Sequence, residues 1–510
     1  MPLPAIYRVP PEILELIFSQ FCLHCQGECL NPTPIDYSIN GAEQGDGSSS
    51  SYSLDRHALF SLCLVSQRLS DIARPILYHE FAPGYGDSGR STVYTWDGRL
   101  TSFMRTVAKR PELGRLVKRV YIHHFLTKNP DVGDAMHALD EAAHGMGHDL
   151  SHAWMLRIQR GFGENPMWLS FLSSLLETEK LLKDPNLQGS LKSREELTPK
   201  QRRWLAAELV STVIAQLPNL DHLSLCVLPY SPGDCAPPSA LEVLGISSLR
   251  LKTVDIAFHA SDIDMGLNLE IRLRGLLRWS QQLTTVNLHK CSATFSLVPI
   301  LSLPQLSNIR MTESRISEAS LESLLTSSQD LRTFSYEAAY SDSWKENLNG
   351  RYHFQSFHAI NALGRHRETL ELLHLDLRGW DALLATRGTH IPPFPSLKHF
   401  TSLQRLFLRV DAIFLNSLEL SNDHQALINI LPNGIVSLRI GGYFSETFPR
   451  LANALLGLAD AVMSQKRNEE RQFPHLSEIQ CDFTPMMDNW GISKVLGAAG
   501  IRFLYGDSGS

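Results

Sequence analysis

The sequence predicts an α/β solenoid, in which short strands and outer helices stack, preceded by a small all-helical module. Three observations predict it. A six-residue phrase, apolar-x-x-apolar-x-apolar, recurs from Val117 to Cys481. Segments between its copies carry apolar residues at helical spacing, as in Trp204, Leu205, Leu209, Val213 and Leu217. Residues 1–82 hold instead two helical stretches around a polar interruption.

In the N-terminal module, Pro10 and Pro11 suit a helix start, where a missing N–H costs nothing. Glu12 then faces the positive end of the helix dipole. Ile13, Leu14, Ile17, Phe18 and Phe21 follow as one wide apolar stripe. From about residue 24 to 55 the composition turns to glycine and serine, with Gly41, Gly45, Gly47 and the serines from 48 to 51. Too few apolar groups remain there to offset the entropy of ordering, so a flexible insertion is expected. Helical character returns at Arg56, runs through Leu59, Leu62, Leu64, Val65, Leu69, Ile72 and Ala73, and is expected to stop at Pro75. So small a module cannot bury a large core alone, and its apolar face is expected to dock on another surface.

These residues carry a family resemblance. Val9-Pro10-Pro11-Glu12-Ile13-Leu14, then Ile17-Phe18, then Leu62, Leu64, Val65 and Leu69 resemble the two halves of an F-box. Leu69 stands where the family usually has Trp, and the insertion separates halves that normally lie close together. Arg74-Pro75-Ile76-Leu77-Tyr78 resembles the segment just past the F-box in many fungal members. The resemblance implies binding of a Skp-family adaptor through Pro10, Ile13, Leu14, Ile17, Phe18, Leu62, Val65 and Leu69. It implies in turn a non-catalytic substrate receptor of an SCF-type cullin–RING ubiquitin ligase.

Residues 83–127 read as a linker, a helix at 100–107 and a first degenerate repeat at Val117, Val120 and Ile122. Residues 128–202 break the period and read as a helical insertion of unknown role. Its expected core is Trp154, Leu156, Trp168, Leu169, Phe171, Leu172, Leu175 and Leu176. Residues 203–510 form the main array, ending in a strand or cap between Ile492 and Tyr505. From Leu220 the phrase starts advance by 31, 32, 23, 25, 39, 33, 32 and 41 residues, an irregular version of the leucine-rich repeat. A strand alternates faces, so one repeat cannot bury its own apolar side, and stacking supplies the partner. The expectation is an irregular leucine-rich-repeat horseshoe. Residues flanking the central apolar position would line its concave face, which assigns Arg310, His374, Arg405, Phe407, Arg409 and Arg439 to a target protein. Arginines on neighbouring repeats suit an acidic or phosphorylated segment.

Other chemistry finds little support. Cys22, Cys25 and Cys29, with His24 between them and Cys63 further on, could suggest zinc. Yet Cys22 ends an apolar helix and no second CxxC pair follows, so no metal is expected. His144, His148 and His152 are spaced for one helix face, but Gly145 and Gly147 weaken that helix. Gly86-Asp87-Ser88-Gly89 and Gly506-Asp507-Ser508-Gly509 read as turns. No phosphate loop, dinucleotide fingerprint or kinase signature occurs, so neither a cofactor nor an enzyme is expected. A net charge of −6 offers no pull toward nucleic acid or an anionic membrane. No run approaches the ~18 apolar residues of a membrane span. Eight cysteines are too sparse for a disulfide scaffold, and no secretory signal is visible. The cytoplasm or nucleus, or both, is expected. The rival readings are a repeat-based interaction scaffold without a ubiquitin role, and an enzyme whose site the sequence hides.

Overall fold

The computed structural model describes residues 5–27, 51–85, 96–128, 130–161, 166–183, 197–227, 238–258, 276–293, 302–339, 354–378, 380, 392–414, 420–442, 447–464, 472–482 and 491–505. The protein is α/β, with parallel strands joined by helices. It divides into two compact units, Met1–Ser261 with Leu269–Leu283, and Asp262–Asn268 with Thr284–Ser510. No described helix is long and apolar enough to cross a membrane.

The first unit begins with helices α1 (Pro11–Ser19), α2 (Leu23–Gln26), α3 (Ser51–Val65) and α4 (Gln67–Leu77). Leu14, Phe18, Cys22, Leu59, Leu69, Ala73 and Ile76 close a core among them. Three expectations need correction here. Residues 51–55 are already helical and 24–26 form a helical turn, so only residues 28–50 of the supposed insertion lie outside the described residues. The stretch after Arg56 is two helices, because Ser66 turns extended and its hydroxyl accepts the Leu69 N–H as an N-cap. Pro75 does not end the second of them. It falls in the last turn, where Tyr78 N–H closes on the carbonyls of Arg74 and Pro75.

Four parallel strands come next, in chain order: β1 (Glu80–Phe81), β2 (Arg119–Ile122), β3 (His222–Val227) and β4 (Thr253–Phe258). Val120, Leu223 and Val254 stand in register and are fully buried. Residues 128–202 lie between β2 and β3, which still pair directly, so the extra helices leave the ladder unbroken. These helices are Val132–Gly145, Leu150–Arg160 and Pro166–Lys183, followed by Pro199–Gln216 with a full capping box at Thr198. Trp154, Trp168, Phe171, Leu172 and Leu175 are buried as expected, whereas Leu156, Leu169 and Leu176 are half-buried. Among them Arg157, fully buried, gives both Glu208 oxygens a hydrogen bond at 2.8 and 2.7 Å. Its Nε reaches Ser239 at 2.9 Å, and Trp168 Nε1 donates to Glu208 at 3.1 Å. His144 and His152 sit on different helices, because the chain turns at Gly147 with φ at +82°.

The second unit carries β5 (Thr285–His289), β6 (Ser292–Ala293), β7 (Asn308–Ile316), β8 (Thr333–Ala338), β9 (Leu372–Asp376), β10 (Arg405–Arg409), β11 (Ser437–Gly441), β12 (Glu478–Cys481) and β13 (Arg502–Tyr505). Apart from β6, which pairs with β7, they lie parallel and side by side in chain order. One row runs straight across: Val286, Ile309, Phe334, Leu373, Leu406, Leu438, Ile479 and Phe503. All but Phe503 are buried. Each copy of the apolar phrase therefore falls on a strand, its last two positions pointing inward.

A repeated backbone device fixes that register. The Thr284 carbonyl accepts the N–H groups of both Ser307 and Asn308 at the start of β7. Ser307 does the same for Arg332 and Thr333, Arg332 for Glu371 and Leu372, Glu371 for Gln404 and Arg405, and Gln404 for Val436 and Ser437. The first unit repeats it, with His79, Lys118 and Asp221 as acceptors. A chain turning into each strand would otherwise leave these N–H groups orphaned, so one carbonyl satisfies two.

Candidate functional site

The N-terminal module distributes its apolar residues between two faces. Of the residues assigned to an adaptor, Leu14, Phe18 and Leu69 are 2%, 3% and 1% exposed and lie in the module's own core. Leu62 is half-buried against the same core. Pro10, Ile13, Ile17 and Val65 are exposed. The structure adds Leu16, Phe60 and Leu64, the last 72% exposed. Arg68 donates to the carbonyls of Tyr7 and Val9, which brings the α3–α4 corner, with Leu64 and Val65, up to the start of α1, with Ile13.

On the second unit, the outward row of the strands reads Arg310, Ser335, His374, Phe407, Arg439 and Gln480. Four of the six residues assigned to a target thus share one row. Arg405 lies a row earlier, beside Leu372 and Ser437, and Arg409 a row later, beside Gly441. The charges differ from expectation. Arg409 is held by Asp411 at 2.8 Å and Asp376 at 3.3 Å. Arg439 binds Asp482 at 2.9 Å while its guanidinium lies 5.6 Å from the centre of the Phe407 ring. A cation already paired gains less from an incoming anion, so the three-arginine patch reduces to Arg405. Arg405 and Arg310 are exposed and make no ion pair among the described residues.

The centre of the row is aromatic. His374 stacks on Phe407 with ring centres 4.1 Å apart and planes 8° from parallel. Burial drives His374 down to about 4, and burial likewise raises the Glu337 carboxyl. At neutral pH the imidazole is uncharged, so the 3.7 Å approach of its Nε2 to Glu337 is no ion pair. Gly441 makes room for this stack, since a Cβ there would stand 2.6 Å from the edge of Phe407. Phe407 is itself only 7% exposed, with Arg439 over its ring, so the stack fills the centre of the row and the cations stand at its margins.

Two clusters of metal-ligating side chains come together in the first unit. In one, Cys22, His24 and Cys25 meet His79. His79 Nδ1 is 3.9 Å from Cys22 Sγ and 3.3 Å from Cys25 Sγ, and His24 Nδ1 is 3.8 Å from Cys25 Sγ. The two thiols share a hydrogen bond, which together with burial pushes Cys22 up to about 11 and which, against the effect of burial, lowers Cys25. The fourth donor, which no sequence spacing announced, is His79. Cys63 packs instead against the module core, and Cys29 lies outside the described residues. The second cluster is His123, His124 and Cys226, all buried, with His124 Nδ1 3.5 Å from Cys226 Sγ. Beside the first cluster, Glu80 accepts the His24 N–H at 3.3 Å and pairs with Arg56 at 3.4 Å. That pair lines a cavity of about 350 Å³ with His57, Phe81 and Arg99.

No family model, no curated protein and no solved structure matches the chain.

Proposed function

We propose that the chain is a non-catalytic substrate receptor of an SCF-type cullin–RING ubiquitin ligase. Its N-terminal module would bind a Skp-family adaptor as an F-box does. Its strand array, taken as an irregular leucine-rich-repeat horseshoe, would hold a target protein. One observation carries the reading: a module that closes its own core still presents Ile13, Leu16, Ile17, Phe60, Leu64 and Val65 to solvent. Single exposed apolar residues are ordinary, but three on α1 and three on α3, in a module whose core is already closed, are surplus to its own packing and would gain by docking. Fully covering one such side chain is worth roughly 1.5–3 kcal/mol, from which the costs of association are subtracted.

The chain would perform no bond chemistry. Tethering a target near a ubiquitin-conjugating enzyme raises its effective concentration, and that proximity supplies the rate. On the target side, the exposed Arg310 and Arg405 would be left for a carboxylate or phosphate, at the margins of the His374–Phe407 stack. The cytoplasm, the nucleus or both would be its place of action.

Capture of a purified Skp-family adaptor by the full-length chain tests the reading. Ile17→Asp combined with Leu64→Asp should abolish capture and leave the circular dichroism spectrum unchanged, because both side chains lie outside the core. Failure of the unmodified chain to capture adaptor would leave the interaction-scaffold reading in its place. Undiminished capture by the double variant would move the interface elsewhere.

A further inference from the structure

The cluster at the end of the N-terminal module has the donor set and the spacing of a closed zinc site. We propose that Cys22, His24, Cys25 and His79 bind one structural zinc ion, and this stands independently of any role in ubiquitin transfer. All four ligand atoms lie within 4.8 Å of one another. Tetrahedral zinc, with Zn–S near 2.3 Å and Zn–N near 2.0 Å, places a sulfur and a nitrogen ligand about 3.5 Å apart. The three sulfur–nitrogen distances of 3.3, 3.8 and 3.9 Å bracket that edge, so little movement is needed to close the shell.

The charges also balance. Zinc takes the cysteines as thiolates and the histidines as neutral imidazoles, releasing two thiol protons to solvent. Two negative sulfurs and a divalent cation leave a neutral site, which can sit half-buried at little electrostatic cost. The surroundings hold the ligands in place. Glu80 fixes the backbone of His24, while Arg119 donates to the Leu23 carbonyl at 3.2 Å. Gly27, in the left-handed region at φ +72°, ends α2 one residue after Gln26 and turns the chain away.

The site explains a local puzzle. α2 is a single turn with no capping side chain, and isolated turns are unstable because nucleation is unfavourable. Two of its four residues, and the residue that precedes it, are in the ligand set. A zinc ion would tie this turn to His79, which lies between α4 and β1, and so fasten the helical module to the first strand of its unit. Soft thiolates with imidazoles favour zinc over magnesium or calcium, which take oxygen ligands.

The experiment is metal analysis of the untagged full-length chain, purified without chelator. The expected result is close to one zinc per chain, lost in Cys25→Ser and in His79→Ala and retained in Cys63→Ser. Should a variant fail to fold, the unmodified chain decides: stripped of metal and titrated with Co²⁺, it should develop the intense visible absorption of a tetrahedral two-thiolate site and saturate at one equivalent. Negligible zinc together with a pale, octahedral cobalt spectrum would overturn the proposal. So would zinc retained in both ligand variants, or an intact mass two hydrogens short that reports a Cys22–Cys25 disulfide.

Discussion

Arg157 and Glu208 show how much a single buried contact decides in this protein. Neither could be left buried alone, and each is satisfied by the other together with Ser239 and Trp168. Removing one partner strands a charge in the interior, at a typical cost of about 3–5 kcal/mol. Arg157→Leu should therefore lower the urea midpoint of the first unit sharply, while replacing both residues by apolar ones should cost less than twice as much. A single variant that unfolds at the same midpoint as the parent would show the pair to be inert. His374 gives a second prediction. Its folded value is about 4 against an ordinary 6.5, so the unfolded chain binds a proton that the folded chain refuses. Stability is complete above about pH 6.5 and declines as pH falls toward 4, by at most about 1.4 kcal/mol per pH unit from this group. His374→Phe keeps the stack on Phe407 and should make the decline shallower, leaving the share of His289, which burial likewise pushes down to about 4. Equally steep pH dependence in the variant would remove His374 as its source.

Among the elements, the helix Phe448–Met463 is packed closely enough to reverse an ordinary preference. Alanine favours a helix over glycine by about 1 kcal/mol. At Gly457, however, a Cβ would overlap the carbonyl oxygen of His424. Gly457→Ala should destabilise by about 1–3 kcal/mol, as overpacking does, and a raised melting temperature would contradict it. The α3–α4 corner rests on the Ser66 cap, so Ser66→Ala should cost about 1 kcal/mol, read as a lower denaturation midpoint. These elements also show what sequence could convey. The strand phrases were legible because they recur down the chain with their last two positions on one buried side; a single copy says little, since Leu59, Leu62 and Leu64 fit the same phrase inside α3. Ser66 was not, since it interrupts no apolar spacing and acts through a hydroxyl bond to the Leu69 N–H that such spacing does not report. Nor could periodicity separate Leu14 and Phe18 from Ile13 and Ile17. Both pairs recur every four residues, yet one pair faces the module's own core and the other faces solvent. His79 lay beyond reach for a different reason: its nearness to Cys25 exists only after α3 and α4 have folded the chain back. β1, two residues long, carries no pattern at all.

For the whole molecule, order is set at the strand starts. The paired N–H bonds to one carbonyl recur in both units, although the segments between strands differ widely in length. Closing a longer loop costs only about 0.6 kcal/mol for each doubling. Deleting Ile479 from β12 should be severe, since a shift of one residue turns each side chain to the opposite face. A melting temperature unchanged by that deletion would show that the strand register is not held in this way. The carbonyl device has a consequence for anyone rebuilding this chain. Strand starts act as fixed joints, and the stretch between two of them is an exchangeable cassette. A replacement leaves the pairing downstream in step, provided that it also fits its neighbour as Gly457 fits the His424 carbonyl.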